Sequence, residues 1–100
     1  MRGWILQSGD DPPITLRLAP ESVKTIGRAP AADFIVDAPL VSRVHCRLTA
    51  DRSDQLIVED LGSTNGTIVN GQKADRSVLR TGDRLLIGRV EFTISRPADP

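Results

Sequence analysis

The run Asp60-Leu61-Gly62-Ser63-Thr64-Asn65-Gly66-Thr67-Ile68-Val69-Asn70-Gly71 contains two Asn-Gly pairs on either side of a short β-branched segment. The second pair separates residues 67–69 from residues 72–74, and a two-residue loop of this composition closes a β-hairpin through positive φ angles. The first pair ends a loop that is too long and too polar for a tight hairpin. We therefore predict that the second pair shapes the fold, whereas the first belongs to a loop that is free to bind a ligand.

Short runs of β-branched and aliphatic residues recur along the whole chain, separated by clusters of Gly, Pro, Asp and Ser. Strands at this spacing predict an all-β sandwich or barrel. No stretch sustains a 3.6-residue apolar period long enough for a helix. The predicted strands cover residues 4–6, 14–18, 24–26, 34–36, 44–48, 56–58, 67–69, 84–87 and 90–94, with residues 72–74 as a further hairpin arm.

Composition limits the classes of function. The 100 residues suffice for one domain with one core. Lys plus Arg number 13 and Asp plus Glu number 13, so no overall field attracts nucleic acid or an anionic membrane. Cys46 is the only cysteine, which excludes an intrachain disulfide and a CxxC pair. Because the N-terminal apolar stretch is too short for a signal peptide or a membrane span, we expect a cytoplasmic protein without membrane insertion.

The C-terminal residues differ from the rest of the chain. Residues 97–100 are rich in proline and poor in apolar side chains, as is typical of a linker. We therefore expect the folded domain to occupy residues 1–96 and a linker or disordered tail to begin at residue 97.

Three separated segments carry a common pattern. Gly27-Arg28 ends a predicted strand, Ser42-Arg43-Val44-His45 follows about fifteen residues later, and Thr64-Asn65-Gly66 lies in the polar loop. A Gly82-Asp83 pair precedes the strand predicted at 84–87. In this order and with these gaps, the four elements resemble the forkhead-associated (FHA) domain over roughly residues 25–94. The resemblance implies an FHA-type (SMAD/FHA-like) β-sandwich of about eleven mostly antiparallel strands, which binds phosphothreonine peptides with loops at one end.

The resemblance assigns the phosphopeptide contacts to five residues, namely Arg28, Ser42, Arg43, Thr64 and Asn65. Phosphothreonine carries about −1.5 to −2 charges and three acceptor oxygens, and the planar guanidinium of Arg28 can donate paired hydrogen bonds to it that a lysine cannot. Ser42 is expected to donate its hydroxyl to another phosphate oxygen, and Arg43 to add a positive charge or a backbone N–H. The amide of Asn65 donates and accepts, which suits pairing with the peptide backbone. Thr64 would line the pocket beside the phosphothreonine.

Three further residues are expected to support the binding loops, namely Gly27, His45 and Gly66. Alternation along the strand predicted at 44–48 places His45 and Cys46 on opposite faces, so they cannot form a catalytic dyad. In FHA domains the equivalent histidine braces the loops through hydrogen bonds, and we predict the same structural role for His45.

Gly-Arg occurs twice, and each copy has its own interpretation. Gly88-Arg89 lies between two predicted strands, where Gly at the first loop position suits a type II′ hairpin, so we predict a turn. Gly27-Arg28 leads into a longer loop that can present the guanidinium. Taken alone, Arg28 would be interpreted as an exposed surface arginine, and the companion motifs favour the binding role.

Catalytic motifs are incomplete. Glycines 66 and 71 are spaced like a P-loop, but Gln72 stands where its lysine would be. Ser42, His45 and Asp60 form a hydrolase triad on paper only, since no nucleophile elbow or oxyanion loop accompanies them. The remaining carboxylates are scattered singly through turns. We predict no enzymatic activity, no cofactor and no metal.

The predicted partner is a phosphothreonine-containing protein or peptide, with a Ser/Thr kinase or its substrate as a candidate, and no nucleic acid. In the family, the loop before Ser42 contacts the residue three positions after the phosphothreonine. Here that loop contains Leu40 and Val41, which offer apolar surface, so we predict an aliphatic residue at that peptide position over an acidic one. The alternative is a phosphate-independent interaction or assembly module on the same fold, using the edge around Trp4 or the face opposite the binding loops.

Overall fold

Two β-sheets pack face to face in the computed structural model, which describes residues 2–98. One sheet has six strands in the order β2-β1-β11-β10-β7-β8, and the other has five in the order β4-β3-β5-β6-β9. All neighbouring strands are antiparallel except β3 and β4. The strands are β1 (Trp4–Ser8), β2 (Thr15–Leu18), β3 (Val23–Gly27), β4 (Phe34–Ile35), β5 (Cys46–Ala50), β6 (Leu56–Asp60), β7 (Thr67–Val69), β8 (Gln72–Lys73), β9 (Arg76–Leu79), β10 (Arg84–Ile87) and β11 (Val90–Ser95).

These eleven strands confirm the predicted all-β sandwich. Within residues 2–98, no helix has the length and apolar character needed to cross a membrane. Residues 99 and 100 of the predicted linker lie outside the described residues. The predicted domain boundary at residue 96 stays a prediction.

The core lies between the two sheets and follows the two-residue period of the strands. Along β11, Val90, Phe92 and Ile94 are buried, whereas the residues between them face outward. Each fully buried large apolar side chain contributes about 1.5–3 kcal/mol to folding through the hydrophobic effect. This core fixes both sheets, so the loops at their ends start from rigid positions.

Two differences from the predicted strands have physical reasons. The short strand β9 was not predicted, because Arg76 and Ser77 weaken its apolar pattern and it pairs only with β6 at the edge of its sheet. The predicted strand 44–48 is wrong at its start, since β5 begins at Cys46. The alternation therefore does not extend to His45, which precedes the strand and is fully buried.

Both predicted two-residue turns are confirmed. Asn70 and Gly71 have φ angles of 50° and 82°, and the flanking residues Val69 and Gln72 pair across the hairpin. The Asn70 side chain is fixed as well, because its Nδ2 donates to Asp83 at 3.1 Å and its Oδ1 accepts from the Arg84 N–H at 2.9 Å. Gly88, with φ 61°, opens the turn between β10 and β11.

Strand register brings several connections to one end of the sandwich, and we call four neighbouring ones the loop end. Ile26 pairs with Cys46 and Cys46 with Asp60, so the connections that follow β3 and β6 lie beside the one that enters β5. In the other sheet, Ile87 pairs with Thr67, which places the β10–β11 turn near the same end. The loop end comprises residues 28–33, 37–45, 61–66 and 88–89.

The opposite end, which we call the far end, holds the start of β1 and the end of β11. Arg96 donates from Nη1 to the Gly3 carbonyl at 3.2 Å, and its guanidinium lies 3.6 Å from the centroid of the Trp4 ring. Trp4 is only 5% exposed and belongs to β1, an interior strand of its sheet. The suggestion that an edge around Trp4 serves as a docking surface is therefore wrong, because Arg96 and the core cover that side chain.

Candidate functional site

Ser42 is the junction of the loop end. Its carbonyl accepts from the Arg28 N–H at 2.9 Å, and its own N–H donates to His45 Nδ1 at 3.1 Å. Its Oγ accepts from the Thr64 N–H at 3.0 Å. Because a hydroxyl donates as well as accepts, the Ser42 proton remains available to a ligand. The segments that contain Arg28 and Thr64 are thus both fixed to Ser42, and His45 holds the Ser42 backbone.

Arg28 is bonded to the carbonyls of Val41 and Ser42 and keeps most of its side-chain donors. Its Nε donates to the Val41 carbonyl at 3.1 Å, which orients the guanidinium. Among the described residues, neither Nη atom has a hydrogen-bond or ion-pair partner, and the residue is exposed. A guanidinium held by Nε with both Nη groups open can donate a pair of parallel hydrogen bonds to an anion.

Gly27 lets strand β3 approach the Ser42 segment. A Cβ at this position would lie 2.0 Å from the Arg43 carbonyl oxygen and 2.8 Å from the Val44 Cα. Any side chain would therefore push the strand end away from residues 43–44. The Ala29 N–H also donates to the Arg43 carbonyl, at 3.1 Å, so this close approach continues past the strand.

His45 joins two loops through its ring. The imidazole is fully buried, with Nδ1 accepting from the Ser42 N–H and Nε2 lying 2.8 Å from the Gly66 carbonyl. A carbonyl oxygen only accepts, so Nε2 carries the proton and the ring is in its neutral Nε2–H form. With both nitrogens bonded to backbone, His45 has the contacts of a bracing side chain rather than those of a general base.

Asp60 organises the loop that carries Thr64 and Asn65. Its Oδ2 accepts from the N–H groups of Gly62 and Ser63, each at 3.1 Å. Its Oδ1 accepts from the Ser63 hydroxyl and, at 2.8 Å, from the Thr67 hydroxyl. Partial burial acts to raise the pKa of Asp60, but the hydrogen bonds from Ser63, Thr67 and Gly62 together outweigh it and hold that pKa below its usual range.

The sequence did not identify Asp60 as a loop organiser, although a signal was present. An Asp followed two residues later by Gly and then Ser is typical of an Asx turn, in which the carboxylate accepts from the backbone ahead of it. Ser63 extends this network, since its Oγ also accepts from the Gly66 N–H at 2.9 Å. The loop is consequently held in shape before any ligand arrives.

The remaining predicted contact residues are exposed at the same end. Asn65 donates from Nδ2 to the Leu40 carbonyl at 3.2 Å, and its Oδ1 and second amide hydrogen have no partner among residues 2–98. Thr64 and Arg43 are exposed, and the Arg43 guanidinium has no ion pair or hydrogen bond among residues 2–98. The structure thus brings all five predicted contact residues together at the loop end.

The loop before Ser42 is only partly as predicted. Leu40 is 47% exposed, with φ 70°, and offers an apolar surface beside Asn65. Val41 is 3% exposed, so the expectation that it adds to this surface is wrong, because its side chain packs into the core. Gly88 supports the loop from beneath, since a Cβ there would lie 2.8 Å from the Pro39 carbonyl. The Gly88 turn therefore does more than close a hairpin.

Cys46 lies under the site without taking part in its surface. Burial, together with the nearby negative charge of Asp60, raises the pKa of its thiol to about 12. The thiol is therefore protonated at neutral pH, and a protonated thiol is a poor nucleophile.

The fold and the loop end define a β-sandwich that presents open hydrogen-bond donors at the ends of its strands. The family model for the FHA domain matches residues 24–88. The chain belongs to the FHA domain family. It is 36% identical over 75 residues, or 75% of this chain, to the glycogen accumulation regulator GarA of Mycobacterium tuberculosis. That alignment covers 46% of GarA, and the chain spans about half the length of the curated relatives it matches.

Two solved structures extend the comparison. The FHA domain of the CT664 protein from Chlamydia trachomatis superposes with a TM-score of 0.88 at 25% identity, covering 96% of this chain and 99% of that one. EmbR from Mycobacterium tuberculosis, solved in complex with a low-affinity phosphopeptide, superposes with a TM-score of 0.82 at 26% identity. The match covers 100% of this chain and 26% of the EmbR chain, so the present fold corresponds to one part of EmbR.

Proposed function

We propose that this domain binds phosphothreonine-containing segments of partner proteins through its loop end, as a module of Ser/Thr-kinase-linked signalling or assembly. One observation carries the proposal. The Arg28 guanidinium, whose Nη groups have no partner among residues 2–98, is held by the carbonyl of Val41, the residue before Ser42. The Arg28 N–H also donates to the Ser42 carbonyl at 2.9 Å, which fixes the two residues to each other. A phosphate offers the matching charge and acceptor oxygens.

The proposed roles of the other residues follow from the charges and the hydrogen-bonding groups that each residue has available for a ligand. Arg43 adds a second positive charge that faces solvent, and Thr64 lies beside Ser42 through the bond from its N–H. The free Oδ1 and N–H of Asn65 suit one residue of an extended peptide, which offers one donor and one acceptor. Gly27, His45 and Gly66 hold the segments that present these groups.

The size of the expected effects supports phosphate as the main determinant. Hydrogen bonds to a charged group contribute about 1.5–3 kcal/mol each, and a micromolar complex corresponds to about 8 kcal/mol. Two or three such bonds therefore account for much of the affinity. Leu40 and the backbone contacts of Asn65 would supply the remainder.

The relatives support a regulatory role in binding rather than catalysis. GarA is named as a regulator of glycogen accumulation, and EmbR was solved with a phosphopeptide. For this chain we propose a kinase or a kinase substrate as the phosphorylated partner, no enzymatic activity of its own, and a place in the cytoplasm. The single thiol, buried and unpaired, is compatible with a reducing compartment.

The direct test is a titration with matched peptide pools that differ only in one central residue. One pool carries phosphothreonine, the second carries phosphoserine and the third carries unmodified threonine. We expect micromolar binding to the first pool, weaker binding to the second because it lacks the methyl group beside Thr64, and no measurable binding to the third. Equal affinity for the phosphothreonine and unmodified pools would contradict the proposal and support a phosphate-independent module.

A further inference from the structure

The side chain of Lys73 lies across Gly66, next to the peptide-binding loop. A Cβ at position 66 would be 2.5 Å from Lys73 Cε and 3.2 Å from both its Cδ and its Cγ. The aliphatic stem of Lys73 therefore fills the space that a side chain at position 66 would occupy. Gly66 also has a φ of 86°, so both its backbone and this contact favour glycine.

The position of the stem fixes where the charge lies. Lys73 belongs to β8 and pairs with Ile68 of β7, so its side chain starts alongside the strand that follows the loop. Of its carbons, Cε comes closest to position 66, and the ammonium is one bond beyond it. The positive charge is thus carried to Gly66, the residue that follows Asn65 in the loop.

No group of the described chain neutralises this charge. Lys73 is exposed, and within residues 2–98 it takes part in no ion pair or hydrogen bond. Two carboxylates belong to neighbouring segments. Asp75, two residues along the chain from Lys73, is exposed and forms no ion pair with it among residues 2–98, and Asp60 already accepts four hydrogen bonds from Gly62, Ser63 and Thr67. An exposed lysine with a packed stem and an unpaired ammonium can bind an anion at low cost in side-chain entropy.

We propose that Lys73 is a further peptide-binding residue, which pairs with an acidic side chain close to the phosphothreonine. The inference rests on the proposed function, since Arg28 and Ser42 would hold the phosphate and Asn65 the peptide backbone. A residue one or two positions from the phosphothreonine lies about 3.3 to 7 Å along an extended peptide, which is within the reach of a lysine stem. Lys73 would therefore select carboxylates on one side of the phosphothreonine.

The test compares four forms of the protein. Lys73→Met keeps an unbranched stem over Gly66 but removes the charge, and Lys73→Arg keeps the charge. Arg80→Met is the matched control, because it removes one positive charge from an exposed residue that follows β9 at the far end. Each form is titrated with phosphothreonine peptides that carry Glu or Gln at a single position, either one or two residues before or after the phosphothreonine.

We expect the wild type to prefer Glu over Gln at one of these positions by about twofold to fivefold, the range of a solvent-exposed ion pair. Arg80→Met and Lys73→Arg should keep this preference, and Lys73→Met should bind the Glu and Gln peptides equally. An unchanged Glu preference in Lys73→Met, or none in the wild type, would overturn the inference while leaving phosphothreonine binding intact. Failure of every phosphopeptide to bind the wild type would overturn the proposed function itself.

Discussion

Arg28 at the loop end and Arg96 at the far end are the same residue type in opposite situations. Arg96 donates to the Gly3 carbonyl, to Asp54 Oδ1 and to the Asp54 carbonyl, the last two at 2.9 Å, and lies over the Trp4 ring. Its side chain is 15% exposed. Arg28 is exposed and uses only Nε within the protein. The difference teaches that unsatisfied donors on a fixed side chain, rather than the presence of an arginine, distinguish the end that we propose to bind the peptide.

The two Asn-Gly pairs show the same contrast between a side chain that is bonded within the protein and one that keeps open hydrogen-bonding groups. Both amide atoms of Asn70 are bonded within the protein, to Asp83 and to the Arg84 N–H. Asn65 has one bond, to the Leu40 carbonyl, and an unused Oδ1. One asparagine closes a hairpin, and the other retains the capacity to pair with a second chain.

The largest effect is expected for Arg28→Ala. Removing two charge-assisted hydrogen bonds of about 1.5–3 kcal/mol each should weaken phosphothreonine-peptide binding by about 100-fold or more. Isothermal titration calorimetry measures the affinity, and thermal unfolding should show an unchanged fold because the side chain is exposed. Wild-type affinity in this variant would remove the functional distinction between the two arginines.

Arg96→Ala should affect stability instead of binding. The variant loses the contact with Trp4 and the hydrogen bonds to the Gly3 carbonyl and to Asp54, so we expect a fall of at least about 2 kcal/mol in the free energy of unfolding. Denaturant titration measures this value, with Arg17→Ala as control because Arg17 is exposed on β2. Phosphopeptide affinity should stay at the wild-type level. A loss of affinity without a loss of stability would show that the two ends are not separable.

Asp60→Asn tests whether the loop end depends on its internal network. An amide can accept at only one of the two carboxylate positions, so two of the four hydrogen bonds are lost. We expect about 1–2 kcal/mol of lost stability and a several-fold weaker phosphopeptide affinity. Asp75→Asn is the control, since that carboxylate is exposed and accepts no hydrogen bond among the described residues.

Asp60→Asn should also change how the stability of the domain depends on pH. Because the pKa of Asp60 is lowered on folding from its ordinary value of 3.8, its contribution to stability is fully present above that pH. The contribution is lost as pH falls through the folded pKa, so the wild type should lose stability below about pH 4. Asp60→Asn should show a shallower decline over this acid range. An identical acid profile in the two proteins would exclude Asp60 as a source of the decline.

The smallest effect concerns peptide sequence beyond the phosphate. Leu40 is the exposed apolar side chain of the loop before Ser42. We expect an aliphatic residue three positions after the phosphothreonine to bind about twofold to tenfold better than an acidic one, through partial burial of apolar surface. Binding to a phosphopeptide library measures this preference, and Leu40→Ser should reduce it. Selection of Asp at that position would contradict the expectation.

Local chemistry explains which features could be predicted from the sequence. The turns at Asn70-Gly71 and Gly88 depend on φ angles that few other residues adopt, so the residue types alone identify them. The candidate site residues Arg28, Ser42 and Asn65 could be predicted because they form a spaced motif. The contribution of Lys73 was missed, because its position over Gly66 depends on the β7–β8 pairing and leaves no local pattern.

The far end also determines how the domain can be attached to other molecules. Ile5 pairs with Ser95, and Arg2 Nη1 donates to the Pro97 carbonyl at 3.3 Å, so the segments before β1 and after β11 lie side by side. The domain measures 37 × 28 × 27 Å. A ligand peptide fused at either terminus would therefore need a spacer of about ten extended residues to return to the loops. Shorter spacers favour capture by a neighbouring copy, whereas a surface-immobilised domain would present its loops outward to the solution.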